Sequence, residues 1–391
     1  MWNRIPSKLG GVALILAAFS AMQPAEAQTF SVIYTFTGGA DGATPFANLL
    51  LYQGVLYGTT SGGGAHNAGT VFQVNTTTHA ETVLHSFVGG PTDGAAPFAG
   101  LILDSAGNFY GTTYSGGAHF FGTVFELPAG GGLTLLHSFK GPPTEGLGPA
   151  GTLVMDGAGD LYGTTYAGGS SVGWGTVFEI TAGGTYKTGQ SFSPDGALPR
   201  AGLILQDGKL YGTTYGGGAQ IYGGTVFQVN VTPPLYTFTG GADGSQPLAS
   251  LIGDGLGNLY GTASDGGSGP FGEGHGVIFE VNIAAGQETV LYTFSGPDGS
   301  TPSGALIRDT EGNLYGTTRL GGAFGYGTVF KLGASGGLTT LYSFTGGADG
   351  ASPFAGLVSD GSGNLWGVTT AGGSAAALAG YGTVFAITAG K

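Results

Sequence analysis

Short apolar runs of about four to eight residues recur along the chain, each bounded by glycine, proline or aspartate. In one stretch the runs are Pro97–Asp104, Asn108–Thr113, Gly122–Leu127 and Leu133–Phe139, all rich in Val, Leu, Thr, Phe and Tyr. Runs of this length and composition between turn residues are typical of β-strands. The links between them carry glycine, which suits tight hairpins. The stretch therefore predicts four short antiparallel strands.

The same unit recurs with a period of about 50 residues. Its second strand begins with "LYGTT" or a close copy, and successive copies are 53, 52, 49, 49, 55 and 51 residues apart. Four antiparallel strands make one blade of a β-propeller, and a period near 50 residues is typical of that fold. The seven copies begin at Leu56, Phe109, Leu161, Leu210, Leu259, Leu314 and Leu365.

The two ends of the repeat region carry complementary parts of one unit. "FSVIYTF" (Phe30–Phe36) matches a fourth strand, and the last unit stops after the third strand that begins at Gly382. Pairing these remnants completes a ring, whereas an open solenoid would need polar end caps. We therefore predict an all-β fold for residues 28–391, a seven-bladed β-propeller of four-stranded antiparallel blades. The N-terminal strand is expected to complete the last blade and close the ring.

Residues 1–27 have a different character. Arg4 and Lys8 precede the apolar run "GGVALILAAFSAM", and Ala25 and Ala27 form a small-residue cleavage pattern. This arrangement is typical of a secretory signal peptide. The apolar run is shorter than the roughly 20 residues of a membrane-spanning helix. We expect residues 1–27 to be a signal peptide and the protein to be secreted or periplasmic, without membrane insertion.

Composition narrows the range of partners and chemistry. The chain has 84 glycines and only 8% charged residues, but 41% are hydrophobic, so the glycines indicate turns rather than disorder. With no cysteine, disulfides and thiol chemistry are excluded. The net charge of −13 argues against binding nucleic acid. We expect a monomer with no metal and no cofactor.

The repeat also resembles a known family. "LYSFTGGADGASPFAGLVSDGSGNLWGVTT" (Leu341–Thr370), followed by "YGTVFAI", is similar to the tandem repeat called GloVer, and the resemblance covers nearly all of residues 28–391. It implies a secreted bacterial protein but assigns no active residues. The sequence ends at "ITAGK" without the C-terminal anchor of many members, which favours a released or periplasmic protein over a displayed one.

Candidate ligand-binding residues lie in two loops of each unit. In a propeller, the loops from strand two to three and from strand four to the next blade emerge on one face. Flat rings with polar tips on that face would suit sugar rings or small aromatic ligands. They would otherwise be packing residues that cover the seams between blades. The candidates are Tyr114, Tyr166 and Tyr215 after "GTT", and Phe121, Trp174, Tyr222, Tyr326 and Tyr381 before "GTVF".

Other candidates are the positions where the repeat breaks. Histidine, tyrosine and arginine together could serve as base, acid and charge neutraliser of an elimination reaction, with His66, His119 and Arg319 as weak catalytic candidates. The histidines are otherwise solvated loop residues. Binding candidates of this kind are Arg200, Asp265 and His275. His85 and His137 replace tyrosine within fourth strands and are interpreted as structural.

Acidic residues recur once per unit in two turns, but no calcium-binding loop motif occurs. We interpret both sets as turn residues whose carboxylates bond to the backbone. One set precedes glycine in the strand-four-to-one loops: Asp41, Asp93, Glu145, Asp195, Asp243, Asp298 and Asp349. The other begins the first hairpin of the unit: Asp104, Asp156, Asp254, Asp309 and Asp360.

The leading functional interpretation is a secreted binding module for a neutral glycan or a protein, with its site on the loop-bearing face. Two alternatives stay open. One is a lyase or hydrolase that acts on carbohydrate or resembles streptogramin lyases, whose turn sequences the "GN-L-W/Y-G" lines loosely match. The other is a structural envelope protein with no small ligand.

Overall fold

The computed structural model describes residues 28–169, 173–194, 196–218, 222–268, 273–374, 378 and 380–389. These residues form seven antiparallel sheets arranged as a β-propeller, so the predicted fold is confirmed. The predicted signal peptide, residues 1–27, lies outside the described part of the chain. None of the described segments is a helix long and apolar enough to span a bilayer.

Each blade contains four strands in chain order, and blade 7 combines three C-terminal strands with the N-terminal one. The first strands are Leu50–Tyr52, Ile102–Leu103, Val154–Met155, Ile204–Gln206, Ile252–Gly253, Ile307–Arg308 and Val358–Ser359. The second strands are Val55–Thr60, Phe109–Thr113, Leu161–Gly168, Lys209–Thr214, Asn258–Ala263, Leu314–Leu320 and Leu365–Thr369. The third strands are Thr70–Asn75, Thr123–Leu127, Thr176–Ile180, Thr225–Gln228, Val277–Asn282, Thr328–Leu332 and Thr383–Thr388. The fourth strands are Glu81–Ser86, Thr134–Ser138, Tyr186–Ser191, Tyr236–Thr237, Gln287–Thr293, Leu338–Ser343 and Thr29–Thr35.

Short extra strands brace the loop-bearing face. Gly94–Ala95 pairs with Ser115–Gly116, and Gly146–Pro149 and Ser300–Pro302 pair with the ends of second strands. First strands are shorter than the sequence suggests. In blade 2 the predicted run began at Pro97, but only Ile102–Leu103 joins the ladder because Phe98–Gly100 lines the propeller axis instead.

Ring closure follows the predicted pairing of the chain ends. Thr29–Thr35 runs antiparallel to Thr383–Thr388, with Thr29 opposite Thr388 and a bulge at Ile33. The strand therefore completes blade 7 as a fourth strand does in every other blade. Ile33 is buried with Trp366, Val384 and residues of blade 1, so closure also builds the seam between the last and first blades.

Two phenylalanines occur in every unit, one at the end of "GTVF" ("GVIF" in blade 5) and one at the end of the fourth strand, and their contact explains why both are repeated. The "GTVF" ring lies in the blade core, and the fourth-strand ring of the preceding blade meets it edge to face across the seam. All seven seams carry this contact, with ring centroids 4.9 to 5.4 Å apart. The "GTVF" ring also fills the space over the glycine of "LYGTT", as Phe330 does over Gly316, where a Cβ would lie 2.7 Å from the ring. This close approach is why the position holds glycine.

The two threonines of "GTT" have separate functions. The second one hydrogen-bonds the threonine of "GTVF" within its own blade, as Thr60 does with Thr70 at 2.8 Å. The first one donates to a carbonyl of the next blade in four seams, as Thr59 does to Ala99 at 2.9 Å. In blade 5 the hydrogen-bonded pair of threonines within the blade is absent. Ala263 and Val277 replace its two members, and both are fully buried. Replacing both members of a buried hydrogen bond by apolar groups leaves no unpaired polar atom.

Candidate functional site

A backbone hydrogen bond that recurs in all seven blades positions the loops of the loop-bearing face around the propeller axis. A proline recurs in the strand-four-to-one loop of every unit, and the residue before it has a φ between +52° and +63°. The N–H of that residue donates to the carbonyl just before "GTVF" ("GVIF" in blade 5) of the preceding blade at 2.8 to 3.0 Å. A positive φ is costly outside glycine and persists only where surrounding contacts fix it. These residues are Thr44, Ala96, Gly148, Leu198, Gln246, Thr301 and Ser352. They hold the residue after each proline at the mouth of the central channel.

Phenylalanines occupy that position in three adjacent blades. Phe46 packs edge to face against Phe98 at 5.3 Å and against Phe354 at 5.4 Å. Phe98 in turn meets Tyr114 at 5.4 Å, which joins a residue after "GTT" to the same cluster. All four rings are half-buried, so each keeps an exposed part at the mouth.

An arginine occupies the equivalent position in blade 4. The Arg200 Cζ lies 4.8 Å from the ring centroid of Tyr166 and 4.6 Å from that of Tyr215. Its Nη2 also donates to the Tyr166 Oη at 3.4 Å. On the other side of the mouth the Arg319 Cζ lies 6.0 Å from the ring centroid of Phe354. Both arginine side chains are exposed.

These eight residues form one surface, which we call the mouth cluster. Its members are Phe46, Phe98, Tyr114, Tyr166, Arg200, Tyr215, Arg319 and Phe354. Five of them were candidates from the sequence, namely Tyr114, Tyr166, Arg200, Tyr215 and Arg319. The three phenylalanines were not, because "PF" reads as the start of a first strand. A signal was nevertheless present, since the residue after the proline varies between units while its neighbours are kept.

The channel below the mouth is almost closed. Direct hydrogen bonds join neighbouring first-strand segments, such as Gly356 N–H to Asn48 Oδ1 at 2.7 Å and Gly100 N–H to Thr152 Oγ1 at 3.1 Å. The remaining cavity of about 80 Å³ is lined by equivalent residues of all seven blades. That is room for only two or three waters. A ligand would therefore rest on the mouth cluster rather than enter the channel.

The structure does not bring the histidine candidates to the mouth. The strand-two-to-three loops run outward, so that the Ala65 N–H donates to Ser86 Oγ on the outermost strand at 2.7 Å. His66 and His119 are exposed near these loop tips. Within the described chain, neither histidine has a hydrogen bond or ring contact with the mouth cluster. The catalytic set proposed from the sequence is thus not assembled.

The remaining binding candidates have local partners. His275 Nδ1 lies 3.1 Å from Ser300 Oγ, and Asp265 accepts a hydrogen bond from the Gly266 N–H at 2.8 Å. Trp174 packs against the core of the seam between blades 3 and 4, and its indole nitrogen is buried with no hydrogen-bond partner among the described residues. Trp174 therefore contributes to the packing of that seam, as the packing alternative assumed.

Three of the aromatic residues before "GTVF" pack on glycine. Phe121, Tyr326 and Tyr381 lie against Gly141, Gly346 and Gly38, which have positive φ in the loop after the fourth strand of the same blade. Phe121 and Tyr381 therefore cover a loop of their own blade, whereas Tyr326 also packs against the buried cluster at the seam between blades 6 and 7, as the packing alternative assumed. Tyr222 is half-exposed and meets Tyr215 with ring centroids 6.3 Å apart.

The carboxylates before glycine bond to the backbone, as predicted, and also to the fourth strand. Asp41 accepts from the Thr37 N–H at 2.7 Å and from the Tyr34 hydroxyl at 3.0 Å. His85 takes the place of that tyrosine in blade 1, with its Nε2 3.1 Å from Asp93 Oδ2. His137 does so in blade 2, 2.8 Å from Glu145. These contacts confirm the structural interpretation of both histidines, while Asp195 lies outside the described residues.

The hairpin aspartates close their own turns. Asp104 accepts from the backbone N–H groups of Ala106 and Asn108 at 2.9 and 2.8 Å, and from the Tyr110 hydroxyl at 3.1 Å. Burial opposes ionisation, but these hydrogen bonds outweigh it and lower the pKa of Asp104. No group of three or more histidine, aspartate or glutamate side chains that could share a metal ion occurs among the described residues.

Two seams contain a glutamate where four of the other five copies have an apolar or aromatic residue. Phe30 at this position stacks on Tyr342 of the neighbouring blade at 3.6 Å. Glu81 and Glu288 instead place a buried Oε1 there that has no hydrogen-bond partner. Burial, reinforced by the charge of Asp41 or Asp243, raises the pKa of each glutamate to about 7.

The paired variant Glu81→Gln, Glu288→Gln is expected to be more stable than the wild type at pH 8 but not at pH 5. Each glutamate has a pKa of about 7 in the folded state and near 4.5 in the unfolded state. The wild-type protein therefore keeps its full free energy of unfolding below pH 4.5 and loses part of it as the pH rises through about 7. Allowing for partial solvent screening, we expect about 1 to 2 kcal/mol per site at pH 8. Thermal unfolding from pH 5 to 8 measures this, with Glu273→Gln as an exposed control. If the variant were more stable than the wild type by the same amount at every pH, the raised pKa of the two glutamates would be contradicted.

Comparison with known proteins identifies a repeat family and a fold. The sequence profile of the Gloeobacter/Verrucomicrobia repeat family matches residues 16–227, 128–302 and 223–391. No curated protein matches the chain. Among solved structures, a "putative 6-phosphogluconolactonase" from Bacteroides fragilis NCTC 9343 is 21% identical with a TM-score of 0.50, covering 81% of this chain and 87% of that one. A protein of the same description from Bacteroides uniformis ATCC 8492 is 16% identical with a TM-score of 0.49, covering 81% and 88%. At this identity the likeness concerns the fold alone.

Proposed function

We propose that this chain, which belongs to the Gloeobacter/Verrucomicrobia repeat family, is a secreted or periplasmic propeller that binds glycan at the mouth cluster. The observation that carries the proposal is the arc of partly exposed aromatic side chains over an almost closed channel. The three phenylalanine rings and Tyr114 form a continuous row in which each ring contacts the next, so their orientation is set before any ligand arrives. Preordered flat rings suit the apolar faces of sugar rings at little entropic cost.

Binding is favoured over catalysis by what the mouth does and does not contain. The tyrosines, arginines and phenylalanines there can stack and donate hydrogen bonds. In the described part of the chain, the hydrogen bonds and ring contacts of the cluster involve no histidine and no carboxylate, the groups that most often act as general bases. The shallow site above a cavity of about 80 Å³ also gives a reacting bond little shelter from water.

Purified protein is expected to be retained on at least one immobilised polysaccharide without shortening or desaturating it. Tyr114→Ala should weaken that binding about tenfold, because one stacking platform of a few contributes roughly 1.4 kcal/mol. Tyr52→Ala is the matched control, since Tyr52 is 40% exposed in the hairpin on the opposite face.

Three results would overturn the proposal. Products abolished by a mouth variant would make the protein an enzyme. Equal weakening by Tyr52→Ala would move the site off the mouth. Absence of retention on every polymer, together with capture of a protein from the periplasm or medium that depends on Tyr114, would make the partner a protein.

A further inference from the structure

The mouth cluster carries two arginines without a carboxylate partner on an otherwise acidic protein. The ion pairs among the described residues join His85 to Asp93, His137 and Lys140 to Glu145, and Lys187 to Glu179. Neither Arg200 nor Arg319 belongs to any of them. Lys209, Arg308 and Lys331 also have no ion pair among the described residues, so what distinguishes Arg200 and Arg319 is their position beside the aromatic rings at the axial opening.

The surroundings of Arg200 order its guanidinium while leaving part of it free. The group lies 4.8 and 4.6 Å from the ring centroids of Tyr166 and Tyr215, and one N–H reaches the Tyr166 hydroxyl. Such cation–π contacts keep the planar group in place. A guanidinium has five N–H donors, so others remain available at the exposed side. That is the geometry that receives a carboxylate through two parallel hydrogen bonds.

Arg319 occupies the second charged position of the same opening. It lies against Phe354, which is in ring contact with Phe46, so the charge and the aromatic platform adjoin. Arg200 and Phe354 both line the axial opening. The acidic residues of the same face sit farther out, where Asp41, Asp243 and Asp349 are held by fourth-strand tyrosines. The two arginines thus place positive charge at the centre of the face, whereas Lys140, in a strand-four-to-one loop, is paired with Glu145.

Resting on the proposed glycan-binding function, we infer that the ligand is an acidic saccharide whose carboxylate is recognised by Arg200 and Arg319 while its ring lies on the phenylalanines and Tyr114. This replaces the neutral glycan expected from composition. The net negative charge of the protein disfavours an anionic ligand in general. At the mouth, the positive charges of Arg200 and Arg319 locally counteract this repulsion. A sulfate or phosphate ester presents related anionic chemistry and is separated from a carboxylate by the experiment below.

The test compares ligands that differ only in the acidic group. Calorimetric titration would use a uronic-acid oligosaccharide, the same oligosaccharide with its carboxyls reduced to alcohols, and a sulfated oligosaccharide of equal length. We expect the uronic form to bind at least tenfold more tightly than the reduced form. Arg200→Gln should remove that preference without abolishing binding of the reduced form, and Arg319→Gln should diminish it. Arg200→Lys should retain only part of the preference for the uronic form, because an ammonium group cannot donate two parallel hydrogen bonds to one carboxylate.

Arg308→Gln is the matched control. Arg308 is also exposed and its guanidinium lies 5.9 Å from the ring centroid of Tyr260. It differs in position, because it lies in a first strand near the hairpins of the opposite face. Equal affinity for uronic and reduced forms would overturn the acidic-ligand inference and leave glycan binding intact. Tighter binding of the sulfated form would overturn carboxylate recognition in favour of a sulfate or phosphate ester. Binding of none of the three would overturn this inference, and the polysaccharide panel would decide the proposed function separately.

Discussion

Replacing Phe330 by alanine is expected to lower the free energy of unfolding by about 3 to 5 kcal/mol. Phe330 is fully buried in blade 6, lies over Gly316, and meets Phe294 of blade 5 edge to face at 5.3 Å. Its removal leaves a cavity that the neighbouring backbone cannot fill, since strands on both sides are fixed by hydrogen bonds. The same geometry occurs at every seam, so the result would apply to each of them. Chemical denaturation followed by tyrosine and tryptophan fluorescence measures the loss.

Phe324→Ala is the matched control for this prediction. Phe324 lies in a loop of the same blade and is 58% exposed, so its truncation should change stability by less than about 0.5 kcal/mol. Combining Phe330→Ala with Phe294→Ala should cost less than the sum of the two single changes, because the pair shares one contact. Full additivity would show that the edge-to-face contact contributes nothing beyond burial.

The fold could be predicted from sequence because each residue of the repeated line has a separate contact. Thr60 bonds Thr70 within the blade, Thr59 bonds the next blade, and the glycine of "LYGTT" makes room for a ring. At most of these positions a substitution would leave a buried polar atom unpaired or create a clash, which favours the same residue in most copies. The first threonine is the least constrained, because its hydroxyl has no partner among the described residues in blades 2 and 5 and blade 7 has Val368 there. Blade 5 supports this explanation, since Ala263 and Val277 change as a pair.

The site was only partly predictable, for a physical reason. Residues that make no repeated contact are free to vary, and this variation pointed to Tyr166, Arg200 and Arg319. It pointed equally to His66 and His119, which vary because they lie at solvent-exposed loop tips. Spacing along the chain does not show that each strand-two-to-three loop runs outward to the fourth strand, as the Ala65 bond to Ser86 does. The tyrosine and the arginines lie near the propeller axis and the two histidines lie far from it, and this distance cannot be read from the sequence.

Ile33→Asp is expected to release the closing strand and to cost more than about 4 kcal/mol, because it places an unpaired charge among apolar side chains. Ile33 is 6% exposed and packs with Trp366, Val384 and the blade 1 core. Hydrogen exchange should show loss of protection in Thr29–Thr35 and in its partner Thr383–Thr388, while blades 3 to 5 keep theirs.

Two further variants separate ring closure from a general loss of stability. Thr29→Asp changes an exposed residue at the end of the same strand and should have almost no effect. Ile33→Val removes one methylene group and should cost only about 1 kcal/mol. If Ile33→Asp left the exchange of Thr383–Thr388 unchanged, blade 7 would be stable with three strands, and the N-terminal strand would not be what holds the ring closed. Loss of protection spread evenly over all seven blades would instead show that the ring unfolds as one unit, because one open seam would then suffice to destabilise every other.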